Sequence, residues 1–129
     1  MKIMIVDDSM EICERLASRL RDIPGVEIAG QAATVADAIS TVHRLKPDVM
    51  ILDLRLPDGN GLEVLRIMQR EQIPTRVIVL TSFSYPQYEQ RARAAGAYAF
   101  LNKAKEFGRV ADLVRSLMTV SEKSAEQPV

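Results

Sequence analysis

The chain has 129 residues, about the size of one domain, and its 47% hydrophobic content is enough for a core. Lys plus Arg and Asp plus Glu both number 17, and this zero net charge argues against a nucleic-acid-binding module, which usually carries a basic excess. The single cysteine excludes an internal disulfide and a multi-cysteine metal cluster. With no apolar run of about 18 residues and no signal-peptide pattern, we expect a soluble cytoplasmic protein.

Apolar runs alternate with helical periodicities along the whole chain. Strands are predicted at residues 2–6, 26–32, 49–52, 77–80 and 99–101. Each is followed by apolar residues at helical spacing, over residues 12–20, 35–45, 62–68, 86–95 and 106–120. Ser9 and Thr34 lie where the N-caps of the first two helices are expected. The five βα units predict an α/β fold with a parallel sheet covered on both faces, over residues 1–120, and a polar tail over 121–129.

Polar residues stand at the ends of four predicted strands. They are Asp7 and Asp8, Asp53, Thr81 and Ser82, and Asn102 and Lys103. The carboxyl ends of parallel strands meet at one edge of the sheet, where ligands bind in open α/β folds. The sequence therefore predicts that three carboxylates, a hydroxyl and an ammonium group converge on one site.

Three clustered carboxylates raise one another's pKa unless a cation lies between them. Oxygen ligands of this kind suit Mg²⁺, which takes few protein carboxylates and also accepts phosphoryl oxygens. Lys103 and Thr81 would contact further phosphoryl oxygens, and one carboxylate would act as the nucleophile that forms an acyl phosphate. We assign Asp53 as this acceptor, because it stands alone at the end of the predicted buried central strand and is followed by a long turn that leaves it accessible. Asp7 and Asp8 are then the metal residues.

The chain resembles the response-regulator receiver domains of two-component signalling, which have the CheY-like fold, over about residues 2–120. The resemblance rests on Asp7-Asp8, Asp53 with Pro57 and Gly61 after it, Thr81-Ser82, and Lys103. It implies a doubly wound, flavodoxin-like sheet of five parallel strands in the order 2-1-3-4-5. It also implies Mg²⁺-dependent phosphorylation of Asp53 by a partner histidine kinase or phosphotransfer protein. The resemblance also implies that the domain is not an enzyme, except that it assists its own phosphorylation and dephosphorylation.

The resemblance also assigns roles to further residues. The backbone carbonyl of Arg55 completes the metal site, and Phe100 is the aromatic switch that responds to Thr81. Arg55 and Phe83 occupy the two positions that tune phosphoryl lifetime in this family, where they could shield the acyl phosphate. Lys103 is followed by Ala104, where the family very often has a proline in a cis peptide. The turn after Lys103 is therefore expected to differ.

The fourth predicted helix is mostly polar, leaving Tyr88, Ala92, Ala94 and Ala95 to pack. An element that buries so little apolar area is weakly held. We therefore expect the face formed by the fourth helix, fifth strand and fifth helix to present the phosphorylation state to partners. The resemblance allows a homodimer through this face, with no direct binding of nucleic acid or membrane by the domain.

Other functions compete with this interpretation. A phosphatase of the haloacid-dehalogenase type also uses a nucleophilic Asp with Mg²⁺, but it needs a second acid two residues later, where this chain has Arg55. A flavodoxin-type cofactor binder needs a phosphate-binding loop after the first strand, where Asp7 and Asp8 would repel phosphate. A receiver-like module that is never phosphorylated would not need the full set of acids. The domain either acts as a stand-alone regulator or controls a DNA-binding effector domain that lies outside this sequence.

Overall fold

The computed structural model describes residues 1–126, with side chains through residue 119. The main sheet contains β1 (Lys2–Val6), β2 (Glu27–Ala32), β3 (Val49–Leu52), β4 (Arg76–Thr81) and β5 (Ala99–Asn102). The helices of this part of the chain are α1 (Met10–Arg21), α2 (Val35–Leu45), α3 (Leu62–Arg70), α4 (Pro86–Ala94) and α5 (Arg109–Glu126). None of these helices is both long enough and apolar enough to cross a membrane.

The five strands form one parallel sheet in the order β2-β1-β3-β4-β5. This confirms the predicted doubly wound fold and its strand order. The central strand β3 is buried at all four positions, as expected for a strand covered on both faces. Because all five strands run in the same direction, their carboxyl ends lie along one edge.

Helices cover both faces of the sheet and enclose two separate apolar clusters. The first cluster lies under α2, α3 and α4 and includes Met50, Leu52 and Phe100. The second lies under α1 and α5 and includes Val49 and Ile51. Successive residues of β3 thus point into opposite clusters, as the alternation of side chains along a strand requires.

The two predicted N-caps are confirmed by hydrogen bonds. Ser9 Oγ accepts from the N–H of Ile12 at 3.3 Å, and Thr34 Oγ1 accepts from the N–H of Asp37 at 3.0 Å. Each bond satisfies one N–H that has no partner within the first turn of its helix. The cap at Ser9 also fixes the turn in which Asp7 and Asp8 lie.

Several details of the structure differ from the sequence prediction. The turn cluster after Asp53 contains a short antiparallel hairpin that pairs Arg55–Leu56 with Gly59–Asn60. Helix α5 starts at Arg109 instead of residue 106, and it continues to Glu126, six residues past the predicted end. Of the predicted tail, residues 127–129 lie outside the described residues. Ala94 was expected to pack but is exposed, whereas Ala92 and Ala95 are buried.

Candidate functional site

The carboxyl edge of the sheet brings the predicted acids together. Asp7 follows β1, Asp53 follows β3, and each of Asp7, Asp8 and Asp53 offers a carboxylate oxygen within 4.8 Å of those of the other two. Asp7 and Asp53 are only 5% and 6% exposed, whereas Asp8 is open to solvent. Two of the three charges are therefore largely removed from water.

Lys103 reaches this cluster from the turn after β5. Its Nζ donates to Asp7 Oδ2 at 2.7 Å and to Asp53 Oδ2 at 3.0 Å. Burial by itself would lower the pKa of Lys103, but the hydrogen bonds to Asp7 and Asp53 and the negative charges of these two residues outweigh it and raise the pKa above the ordinary value. Lys103 is thus a fixed positive charge directly beside the carboxylate of Asp53.

Burial of this cluster disfavours the ionised form of Asp7. Its Oδ2 binds Lys103, and its Oδ1 accepts from the N–H of Ser9 at 2.8 Å. Burial nevertheless raises the pKa of Asp7 above its ordinary value, and the hydrogen bonds offset this only in part. A further cation beside Asp7 would stabilise the ionised carboxylate.

The oxygen donors of this cluster have the chemistry that Mg²⁺ prefers. The donors are hard carboxylate oxygens, few in number and close together, with the exposed Asp8 on the solvent side. Mg²⁺ takes one or two protein carboxylates and keeps several waters, so the donor set fits this ion. Burial raises the pKa of the Asp7 carboxyl, and a cation bound beside Asp7 would oppose this effect by stabilising the ionised form.

Thr81 and Phe100 lie on the two neighbouring strands next to the site. Thr81 is fully buried, and its Oγ1 accepts from the N–H of Phe83 at 3.1 Å, which leaves its own hydroxyl proton free to be donated elsewhere. Phe100 pairs with Val79, which shares a sheet face with Thr81 because the two are separated by one residue. The two predicted switch residues therefore face the same apolar cluster, under α3 and α4.

The turn after Lys103 is built without proline. No cis peptide bond occurs in residues 1–126, so the Lys103–Ala104 bond is trans. Asn102 Oδ1 instead accepts from the N–H groups of Ala104 and Lys105 at 3.0 and 2.9 Å. Glu106 Oε1 accepts in return from the N–H of Asn102 at 3.0 Å. Side-chain hydrogen bonds thus hold the turn that presents Lys103, as the departure from the family pattern led us to expect.

Arg55 and Phe83 close one side of the site. The guanidinium carbon of Arg55 lies 5.0 Å from the centre of the Phe83 ring, a cation–π distance. Both line a pocket of about 240 Å³ that also includes Asp8 and Asp53. Access to the Asp53 carboxylate therefore passes beside this stacked pair.

The hairpin after Asp53 contains residues that the sequence analysis did not single out. Asn60 Oδ1 accepts from the N–H of Leu62, at the start of α3, at 2.9 Å. Asp58 Oδ1 accepts from the N–H of Val35, at the start of α2, at 2.7 Å. An Asp or Asn in a turn cluster is a capping signal, but which helix Asp58 caps depends on the tertiary fold.

The fold and this arrangement define a class of protein, and comparisons with known proteins agree. The family model described as the response regulator receiver domain matches residues 3–115. The chain belongs to this family, and it is a receiver domain of the kind found in two-component response regulators.

Individual members of this family and individual solved structures are similar to the chain. It is 35% identical over 102 residues to the DNA-binding transcriptional activator DevR/DosR of Mycobacterium tuberculosis, covering 79% of this chain and 47% of that protein. The signal receiver domain of the putative response regulator NarL of M. tuberculosis superimposes with a TM-score of 0.83 at 26% identity, covering 90% of this chain and 94% of that one. The response regulator domain of Thermotoga maritima CheB gives 0.80 at 27% identity, covering 99% and 98%. The chain spans about half the length of the curated relatives it matches.

Proposed function

We propose that Asp53 accepts a phosphoryl group from a phosphohistidine of a partner kinase or phosphotransfer protein. The observation that carries this proposal is the buried Asp53 carboxylate, held 3.0 Å from Lys103 Nζ and clustered with Asp7 and Asp8. Asp7, Asp8, Asp53 and the backbone carbonyl of Arg55 would hold Mg²⁺. When bound, this ion would neutralise charge on the oxygens of the transferring group.

The residues of this chain supply positioning and charge. An oxygen of Asp53 forms the new O–P bond while the P–N bond to the partner's imidazole breaks, and the released imidazole takes up a proton. Lys103 stabilises the negative charge on the phosphoryl oxygens, and its raised pKa keeps it protonated throughout. The stacked Arg55 and Phe83 limit the access of water to the acyl phosphate. In this proposal the domain turns over no separate substrate.

The switch proposal follows from the placement of Thr81 and Phe100. The Thr81 hydroxyl can donate to a phosphoryl oxygen, because its oxygen only accepts from Phe83 N–H in this state. Drawing Thr81 toward Asp53 vacates volume on the face that Phe100 shares, and Phe100 can repack into it. Such a two-state change requires only a few kcal/mol of differential stabilisation.

Partners would detect this change on the face formed by α4, β5 and α5. Helix α4 supports the proposal, because Ala92 is the one buried residue within it and Tyr88 is only partly buried against the core. The partner that binds this surface would be a downstream target, an effector domain or a second copy of this domain. A DNA-binding effector is supported by the name of DevR/DosR, a relative about twice as long as the matched region. The cytoplasmic location expected from the sequence remains a prediction.

Acetyl phosphate with Mg²⁺ provides the direct test of phosphorylation. We expect the intact mass to rise by one phosphoryl group in the wild type. The gain should be lost in Asp53→Ala and in the isosteric Asp53→Asn, while Asp48→Asn, an exposed acid at the other end of β3, should still be labelled.

The absence of any mass gain with both acetyl phosphate and a phosphohistidine donor would contradict the proposal. Labelling that persists in Asp53→Asn would contradict the assignment of the acceptor. Turnover of small phosphate esters by the wild type would favour a phosphatase instead. Chemical-shift changes confined to the face formed by α1 and α2 would contradict the proposed output surface.

A further inference from the structure

The hairpin after Asp53 is tied at its tip to a different helix. Asp58 lies in the turn between its two strands, and both of its carboxylate oxygens accept backbone hydrogen bonds from the first turn of α2. Val35 N–H donates at 2.7 Å and Ala36 N–H at 3.1 Å. An anion at a helix N-terminus is also stabilised by the helix dipole. These bonds lower the pKa of Asp58 below its ordinary value, so the carboxylate is ionised at neutral pH.

The base of the same hairpin belongs to the candidate site. Arg55 starts its first strand, and the N–H of Arg55 points at Asp53 Oδ1, at 3.4 Å. Gly61 N–H donates to the carbonyl of Leu54 at 2.7 Å and closes the base. The hairpin is thus fixed at the base by the backbone bond between Gly61 and Leu54, and at the tip by Asp58.

The tip also packs closely against α2. A Cβ added at Gly59 would lie 3.4 Å from a methyl group of Val35 and 3.2 Å from a carboxylate oxygen of Glu63. Asp58 at the tip is only three residues from Arg55 at the base, so releasing the tip gives freedom directly to Arg55. A two-residue ladder provides too few hydrogen bonds to hold the hairpin by itself.

We propose that Asp58 is a positioning residue, which fixes the Arg55 backbone relative to Asp53 by fastening the hairpin to α2 and thereby sets the affinity of the site for Mg²⁺. The inference rests on the proposed function, in which the Arg55 carbonyl is a metal ligand. It adds a residue that touches neither the ion nor the phosphoryl group. Groups that orient a metal ligand typically change affinity by about 10–100-fold when removed, and we expect roughly tenfold here.

The test titrates MgCl₂ into the phosphate-free protein and follows the amide shifts of Asp53 and Arg55 by NMR. Asp58→Ala should bind Mg²⁺ roughly tenfold more weakly than the wild type. Asp58→Asn keeps one oxygen acceptor for Val35 N–H and should fall between the two. The matched control is Thr34→Ala, which removes the other side-chain cap of α2 without touching the hairpin. It should leave the Mg²⁺ affinity unchanged.

Two results would overturn the inference: an unchanged affinity in Asp58→Ala, or an equal loss in Thr34→Ala, which would point to α2 instead of the hairpin. Failure of the wild type to bind Mg²⁺ would instead contradict the proposed metal site. Hydrogen exchange at the Gly61 amide, measured without Mg²⁺, tests the anchoring separately. We expect faster exchange in Asp58→Ala than in Thr34→Ala, and equal rates would refute the anchoring role.

Discussion

Gly61 forms the tightest backbone approach beside the site, and its replacement by alanine should destabilise the fold. A Cβ at this position would lie 2.4 Å from the carbonyl oxygen of Asp53 and 3.0 Å from the Cα of Leu54. Both are backbone atoms, which cannot move aside as a flexible side chain can. The φ of Gly61 is −57°, which alanine adopts without strain, so the cost is purely steric.

The magnitude follows from two opposing effects. Overpacking typically costs about 1–3 kcal/mol, while replacing Gly by Ala reduces unfolded-state entropy and returns about 0.4–1 kcal/mol. We expect a net loss of about 1–2 kcal/mol in the free energy of unfolding, measured by urea titration with circular dichroism. The control is Gly108→Ala, whose Cβ would meet no atom nearer than the end of the Arg19 side chain at 3.7 Å. Equal stability of the two variants would refute this steric reasoning.

Three further predictions concern individual charges. Arg55→Ala should lose the phosphoryl group about two- to fivefold faster, because a stacked pair at an exposed site contributes about 0.5–1 kcal/mol; an unchanged decay of the labelled mass would contradict the shielding role. Asp7→Asn should raise the free energy of unfolding of the Mg²⁺-free protein, because burial penalises the ionised form of Asp7 by more than its hydrogen bonds with Lys103 and Ser9 N–H offset; urea titration measures this, and added Mg²⁺ should stabilise the wild type more than the variant. His43 donates to the carbonyl of Ile39 and binds Glu71, which raises its pKa above 6.5. Its stabilising effect should therefore be complete below pH 6.5 and be lost as pH rises through the raised pKa; a stability difference between wild type and His43→Gln that does not depend on pH would contradict this.

The sequence predicted the strands and the polar residues at their ends because both depend on local pattern. Apolar runs that stop at Asp7, Asp53 and Thr81 fix which residues reach the sheet edge. Parallel pairing of the strands then brings these residues together at the same edge. The start of α5 was predicted three residues too early, because Glu106 has a helical pattern but its carboxylate accepts from Asn102 N–H in the preceding turn. Such pairing across a turn competes with helix formation and leaves no periodic signal.

The hairpin after Asp53 could not be predicted for a different reason. Its residues form a turn cluster of Pro, Asp, Gly and Asn, which indicates a turn but not its partner. Only the folded chain brings Asp58 to α2, which begins 23 residues earlier at Val35. The stacking of Arg55 on Phe83 could not be predicted from the local sequence either, because the two residues follow different strands.

The central strand β3 has a consequence for misfolding. Its residues alternate between the two apolar clusters, with Val49 and Ile51 on one side and Met50 and Leu52 on the other. A slip of one residue in its pairing would therefore exchange both sets at once and turn Asp53 away from Lys103. A chain with β3 in the wrong register loses the packing of both layers together with its charge cluster. The alignment of the acceptor strand is thus specified by both apolar clusters, so a shift that misplaces Asp53 also disrupts the packing on both faces of the sheet.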